Sequence, residues 1–291
     1  MNARRNFIKQ SALLSTGLAM NPSEFLKIQT KVGIQLYSLR DDIEKNVKSV
    51  ISKVAAAGYK EVETYGLSKE GQFFGLSVSE FAQLLKANNL TSPSGHYLPE
   101  KMLFENGDGD DVKKLCEVGH TLGHRYIVIP HLEEDKRKTI DQYKALAARM
   151  NIAGKICRNA GLQLAYHNHD FEFLQINGQR GYDIFMNETD KDLVKLELDL
   201  YWVVSAGLDP IDFFKKQPGR FPMVHVKDMD KADRTKNTEI GNGSINFKRI
   251  LASSAVAGIK HYYLEQENNY VPDTFTSIQK SYSYIRKNLL K

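Results

Sequence analysis

RYIVIP (125–130), a long amphipathic stretch (roughly 136–160) stopped by Gly161, and LQLAYH (162–167) form the run from which the fold is read. Two short runs rich in β-branched and aromatic residues flank one helix-length segment, which reads as strand, helix, strand. A helix between two strands argues for parallel pairing with a right-handed crossover.

Working outward, the same unit recurs. Upstream lie the strand candidates VGIQLYS (32–38), KEVETY (60–65) and the weaker TSPSGH (91–96). Downstream lie VKLELD (194–199), PMVHVKD (222–228) and KHYYLEQE (260–267). Helical patterns fill the gaps: 42–57 ending at Gly58, a helix capped by Ser79 and running to Asn88, then 109–122, 181–188, 209–217, 245–256 and 273–289. Eight strand–helix units in about 260 residues predict an α/β protein, a single-domain (β/α)8 TIM barrel over 29–291. A doubly wound open sheet should carry a glycine-rich phosphate turn after its first strand, and YSLRDD (37–42) has none.

Residues 1–28 stand apart from the barrel. Arg4-Arg5-Asn6-Phe7-Ile8-Lys9 has the RRxFxK form of a twin-arginine export signal, followed by a short apolar run from Ser11 to Met20. The expectation is a periplasmic protein; a basic tail on a cytoplasmic protein is the alternative. The formal charge of +5 includes Arg4, Arg5 and Lys9 and no acid in residues 1–20, so +2 remains without that segment. A charge that small makes no electrostatic case for a nucleic-acid partner. No run reaches the ~18 apolar residues of a membrane span. Cys116 and Cys157 both fall in helical stretches, with no metal-type spacing and no implied disulfide framework.

In such a barrel the active site forms where strands end and loops begin. Those ends carry Glu63, His96, the segment Tyr166-His167-Asn168-His169-Asp170-Phe171-Glu172, Glu197 with Asp199, His225 with Lys227 and Asp228, and Glu265 with Glu267. Period-two alternation places Glu197 with Asp199, His225 with Lys227, and Glu265 with Glu267 on common faces. Polar groups inside a packed barrel are costly unless paired or bound to a metal. Carboxylates and one imidazole converging there suit Mn2+ or Mg2+, with Zn2+ and Co2+ as alternatives. Tyr37, Phe171, Tyr201 and Trp202 lie near the mouth, placed either to stack on a substrate ring or to pack the core and rim. Glu239 in EIGNGSINF (239–247) is a weak candidate, and His120, His124, His131 and His261 read as structural.

GIQLYSLR (33–40), YHNHDFEF (166–173), LDLYW (198–202), VHVKD (224–228) and YLEQE (263–267), in this order, resemble the sugar phosphate isomerase/epimerase family of xylose-isomerase-like barrels, in its YHNH-bearing branch. The resemblance implies one divalent metal ion held by Glu172, Asp199, His225 and Glu265. His167 stands where many relatives have the fifth-strand glutamate, and Trp202 where epimerases often have a substrate-binding histidine. It further implies a small carbohydrate substrate, with a homo-oligomer left open. Glu172, Glu265, His167 and Lys227 are the candidate catalytic groups; His96, His169, Trp202 and Glu63 are the candidate substrate contacts. The expected reaction is isomerisation or epimerisation of a sugar or keto-sugar through an enediolate. The alternative shares that intermediate and expels a β-substituent, as a lyase or dehydratase acting on a keto-sugar or keto-cyclitol.

Overall fold

The strand at 91–96 is the least sheet-like in composition, yet it completes the ring. In the computed structural model, which describes residues 31–290, the strands are β1 (Gly33–Gln35), β2 (Glu61–Thr64), β3 (Thr91–His96), β4 (Tyr126–Ile129), β5 (Gln163–His167), β6 (Val194–Asp199), β7 (Met223–Val226) and β8 (His261–Leu264). Each pairs in parallel with its neighbours in the chain, and β1 also pairs with β8, so the sheet closes. Closure leaves no edge strand exposed. The expected (β/α)8 barrel is the fold. The export signal expected in residues 1–28 lies outside the described residues.

Eight helices alternate with these strands: α1 (Val47–Ala57), α2 (Val78–Ala87), α3 (Asp110–Leu122), α4 (Ile140–Asn159), α5 (Gly181–Glu188), α6 (Pro210–Lys216), α7 (Phe247–Leu251) and α8 (Thr274–Tyr284). Gly58 ends α1 in the left-handed conformation, φ 109°, as its position predicts. Ser77, and not Ser79, caps α2: its hydroxyl accepts from the Glu80 N–H while the Glu80 carboxylate accepts from Ser77. A capping box needs Glu three residues after the cap, which only Ser77 has, and such a cap is worth about 1 kcal/mol. No helix among the described residues is long and apolar enough to cross a membrane.

β3 contains Pro93, which cannot donate to a ladder. Its pairing with β2 shifts register between Glu61↔Thr91 and Glu63↔Ser94, the signature of a bulge at the proline. A Cβ on Gly95 would lie 2.4 Å from Thr64 Oγ1, so only glycine lets β3 run this close to β2.

Inward-facing residues change character along the barrel axis. Tyr126, Val128, Ala165, Met223 and Tyr263 form an apolar cluster of their own, separate from the main core packed by the surrounding helices. Two residues further along their strands stand His167 after Ala165, His225 after Met223, and Glu265 after Tyr263. The floor is therefore apolar and the mouth polar. Each large side chain buried in that floor contributes roughly 1.5–3 kcal/mol, which helps offset the polar groups held above it.

Candidate metal centre at the barrel mouth

The YHNH segment shows how local structure distributes these groups. Tyr166 points away from the interior and its hydroxyl donates to Glu172. His167 points inward, with Nδ1 3.2 Å from Glu197 Oε2. Asn168 Oδ1 accepts from the Asp199 N–H at 3.0 Å, fixing the end of β6. His169 stacks on Phe171, ring centroids 5.5 Å apart.

At the mouth, one ligand-capable atom each from His167, Asp199, His225 and Glu265 lies within 4.8 Å of the other three. Asp199 ends β6 and also caps the helical turn Leu200–Ser205: its Oδ1 accepts from the Tyr201 N–H at 2.8 Å and the Trp202 N–H at 3.1 Å. Its other oxygen, Oδ2, is buried and unpartnered among the described residues. His225 Nδ1 lies 3.1 Å from Glu265 Oε2. Behind this group His96, Glu197 and Glu63 form a second layer. His96 Nε2 lies 2.9 Å from Glu197 Oε2 and 3.0 Å from Glu63 Oε2, and His225 Nε2 lies 2.7 Å from Glu63 Oε2. His96, His167, Glu197 and His225 also present atoms within 4.8 Å of one another, so two overlapping placements share His167 and His225.

The electrostatics favour a cation. Asp199, Glu265 and Glu267 gather around Lys227, which bonds Glu267 and lies 3.5 Å from Glu265, while Glu63 and Glu197 face the imidazoles of His96 and His225. Burial opposes charge on His96, but Glu63 and Glu197 outweigh it and raise the imidazole to about 9. His225 is likewise raised, burial being outweighed by Glu197 and Glu265. His167 goes the other way: burial, reinforced by His225, lowers it to about 4. Burial lifts the Asp199 carboxyl to about 7, against the pull of Lys227. A buried carboxylate oxygen without a donor, beside two imidazoles and a second carboxylate, is what a divalent ion satisfies; the donor set fits one.

Above the group opens a cavity of about 360 Å3 lined by Tyr37, Tyr65, Gly66, His96, Pro130, His131, His167, His169, Glu265 and Glu267. Of the expected substrate contacts, His96 and His169 line it. Glu63 has no exposed surface and is spent on holding His225, His96 and Gln35. Trp202 is not among the lining residues; its ring sits 4.8 Å from Lys227 Nζ. Lys227 is buried and committed to Glu265 and Glu267. Glu172 is not brought to the group. It lies on the 3-10 turn Phe171–Phe173, where Oε1 accepts from Tyr166 and Oε2 from the His169 N–H at 2.9 Å. Burial raises it to about 8. The fifth-strand member of the group is His167.

Two residues left aside from the sequence belong here. Glu197 shares its face with Asp199, a signal that was present in the alternation. His131 directly follows the Pro130 that closes β4, and its ring meets His169 edge-on at 5.0 Å; strand-end position was the available signal. Glu239, by contrast, accepts from Ser277 at 2.9 Å and from Asn242 at 3.3 Å, away from the mouth.

A closed parallel barrel with imidazoles and carboxylates converging at its C-terminal mouth is a TIM barrel with a candidate metal site. Residues 51–281 match the model of the Xylose isomerase-like TIM barrel family, and the chain belongs to that family. A sugar phosphate isomerase/epimerase from Parabacteroides distasonis ATCC 8503 superposes with a TM-score of 0.81 at 26% identity, over 94% of this chain and 99% of that one. An inosose dehydratase from Clostridium botulinum is 24% identical over 258 residues, 77% of this chain and 84% of the relative. The IOLI protein, crystallised with a zinc atom, shares the fold at a TM-score of 0.69 and 15% identity, over 90% of this chain and 99% of that one.

Proposed function

We propose that this barrel is a divalent-metal enzyme that removes a proton beside the carbonyl of a sugar or keto-sugar and returns it elsewhere, as an isomerase or epimerase working through an enediolate. The convergence of His167, Asp199, His225 and Glu265 within 4.8 Å carries this reading. These four residues would hold the ion. With two imidazoles in the set, a transition ion (Mn2+, Zn2+ or Co2+) suits it better than Mg2+. When bound, the ion supplies Lewis-acid stabilisation of negative charge on the substrate oxygens.

The chain's own groups do the rest. Burial opposes charge on Glu265, but the neighbouring Lys227 outweighs it and holds the carboxyl well below its ordinary range. Glu265, at the cavity wall, is thus the base within reach of a bound substrate. Burial lowers both His131 and His169, so neutral imidazoles line the same cavity as hydrogen-bonding partners for substrate hydroxyls. Tyr37 and Tyr65 meet edge to face at 5.2 Å and present ring surface to a sugar.

A second reading, metal-dependent elimination from a keto-sugar or keto-cyclitol, is favoured by the inosose dehydratase relatives and by His96. His96 lines the cavity, held between Glu63 and Glu197 and protonated near neutral pH, as an acid for a leaving hydroxyl. Proton NMR of the metal-loaded chain with free keto-sugars in D2O tests both. Deuterium entering beside the carbonyl, with epimers accumulating, supports the first; an unsaturated product supports the second. Undiminished turnover by a metal-free Asp199→Ala preparation overturns both.

A further inference from the structure

Cys116 and Cys157 are the only two cysteines in the 291-residue chain. One sits on α3 and the other on α4, separated by 41 positions, yet their sulfurs lie 3.9 Å apart. Both are free and buried. Both pack in the core between the two helices, and no other cysteine competes for either.

We propose that Cys116 and Cys157 form a covalent modification site, a latent disulfide that ties α3 to α4. The bond requires the sulfurs to close from 3.9 Å to about 2.0 Å, so rotation about the Cα–Cβ bonds and movement of the two helices must together supply about 2 Å. The reaction is thiol–disulfide exchange with a low-molecular-weight disulfide. One cysteine thiolate attacks the reagent and expels one thiol. The second cysteine then attacks the mixed disulfide and expels the other, so two protons and two electrons leave the pair and one S–S bond replaces two S–H bonds.

The pair works in either order: a thiolate on one cysteine is stabilised by the S–H of the other, and whichever sulfur attacks first leaves the second 3.9 Å away to resolve the mixed disulfide. Because both sulfurs are buried, exchange proceeds as the helices close during folding or open locally. The product persists only in an oxidising compartment. The bond encloses β4 and nearly all of α4, whose far end leads through Gly161 into β5 and His167. It therefore restrains the unfolded chain, and the loop it closes includes Pro130 and His131 of the cavity wall. The inference stands on the helix packing and is independent of the function proposed for the mouth.

The full chain is refolded with and without oxidised glutathione, and its thiols are counted after denaturation. Two thiols in the reduced sample, none in the oxidised one, and an intact mass lower by about 2 Da support the site. So does a Cys116–Cys157 peptide in the non-reduced digest. Oxidation should raise the Tm by roughly 5–10 °C, and that rise should vanish in Cys116→Ser. Cys157→Ala gives the same readout if the first variant does not fold, and the wild-type mass needs neither. Two thiols persisting under oxidation, glutathione adducts in place of the bond, or an unchanged Tm on complete oxidation overturns the proposal.

Discussion

His225 Nε2 lies 2.7 Å from Glu63 Oε2, and neither side chain has any exposed surface. The other ring nitrogen, Nδ1, faces Glu265 and the mouth. A histidine that ligates a metal through one nitrogen commonly gives its other N–H to a carboxylate, which fixes the tautomer and the ring plane. Glu63 is placed to do this for His225 from across the barrel. Glu63→Gln keeps the shape and an acceptor oxygen but removes the charge. We expect metal affinity to fall about 10–100-fold, measured by isothermal titration with Mn2+ or Zn2+, with circular dichroism unchanged. Affinity within twofold of wild type would assign Glu63 a packing role only.

Asp199 carries two duties on two oxygens: Oδ1 caps the turn Leu200–Ser205 and Oδ2 faces the cluster. The substitutions Asp199→Asn and Asp199→Ala separate them. Asparagine keeps an acceptor for the Tyr201 and Trp202 N–H groups and loses the anionic ligand, so metal binding should be abolished with stability nearly retained. Alanine loses both, and costs a further ~1 kcal/mol from the missing cap. Equilibrium denaturation and metal analysis of both variants check this. Retention of a full equivalent of metal by Asp199→Asn would move the ion to the deeper placement built from His96, His167, Glu197 and His225.

How much of this was legible in the chain differs residue by residue. Asp199, His225 and Glu265 could be picked out because period-two alternation and strand-end position are local properties, and both held. Glu172 was chosen as the fifth-strand carboxylate because of its nearness to His167. The 3-10 turn after β5 instead carries it outward to Tyr166, a change of direction no spacing encodes. Glu63 was legible as a strand-end acid and not as the partner of His225, since that contact joins residues 162 positions apart and depends on barrel closure. Ser79 is the wrong cap for α2 because the Glu80 that completes a capping box stands three residues after Ser77, a pairing that serine identity alone does not reveal. β3 is weak as a strand pattern because Pro93 breaks its ladder, and the extra residue of the bulge around the proline lies on β3 itself.

Glu172 yields a prediction about stability in place of catalysis. Burial raises its carboxyl from an ordinary value of 4.5 to about 8, against hydrogen bonds from Tyr166 and the His169 N–H that pull the other way. In the unfolded chain the group ionises near its ordinary value. Below that pH both states hold the proton and the raised group costs nothing. As pH rises from about 4.5 toward 8 the unfolded state releases its proton first, so stability is progressively lost across that window, with the full loss reached above the folded value. Glu172→Gln preserves a neutral side chain of the same shape with an acceptor for the His169 N–H. Its stability should be flat where wild type declines, and it should exceed wild type at pH 8 by a few kcal/mol. Urea denaturation of the two proteins between pH 5 and 8.5 reads the difference directly. Parallel curves would show that Glu172 is ionised in the folded protein throughout, and would reopen it as a candidate ligand.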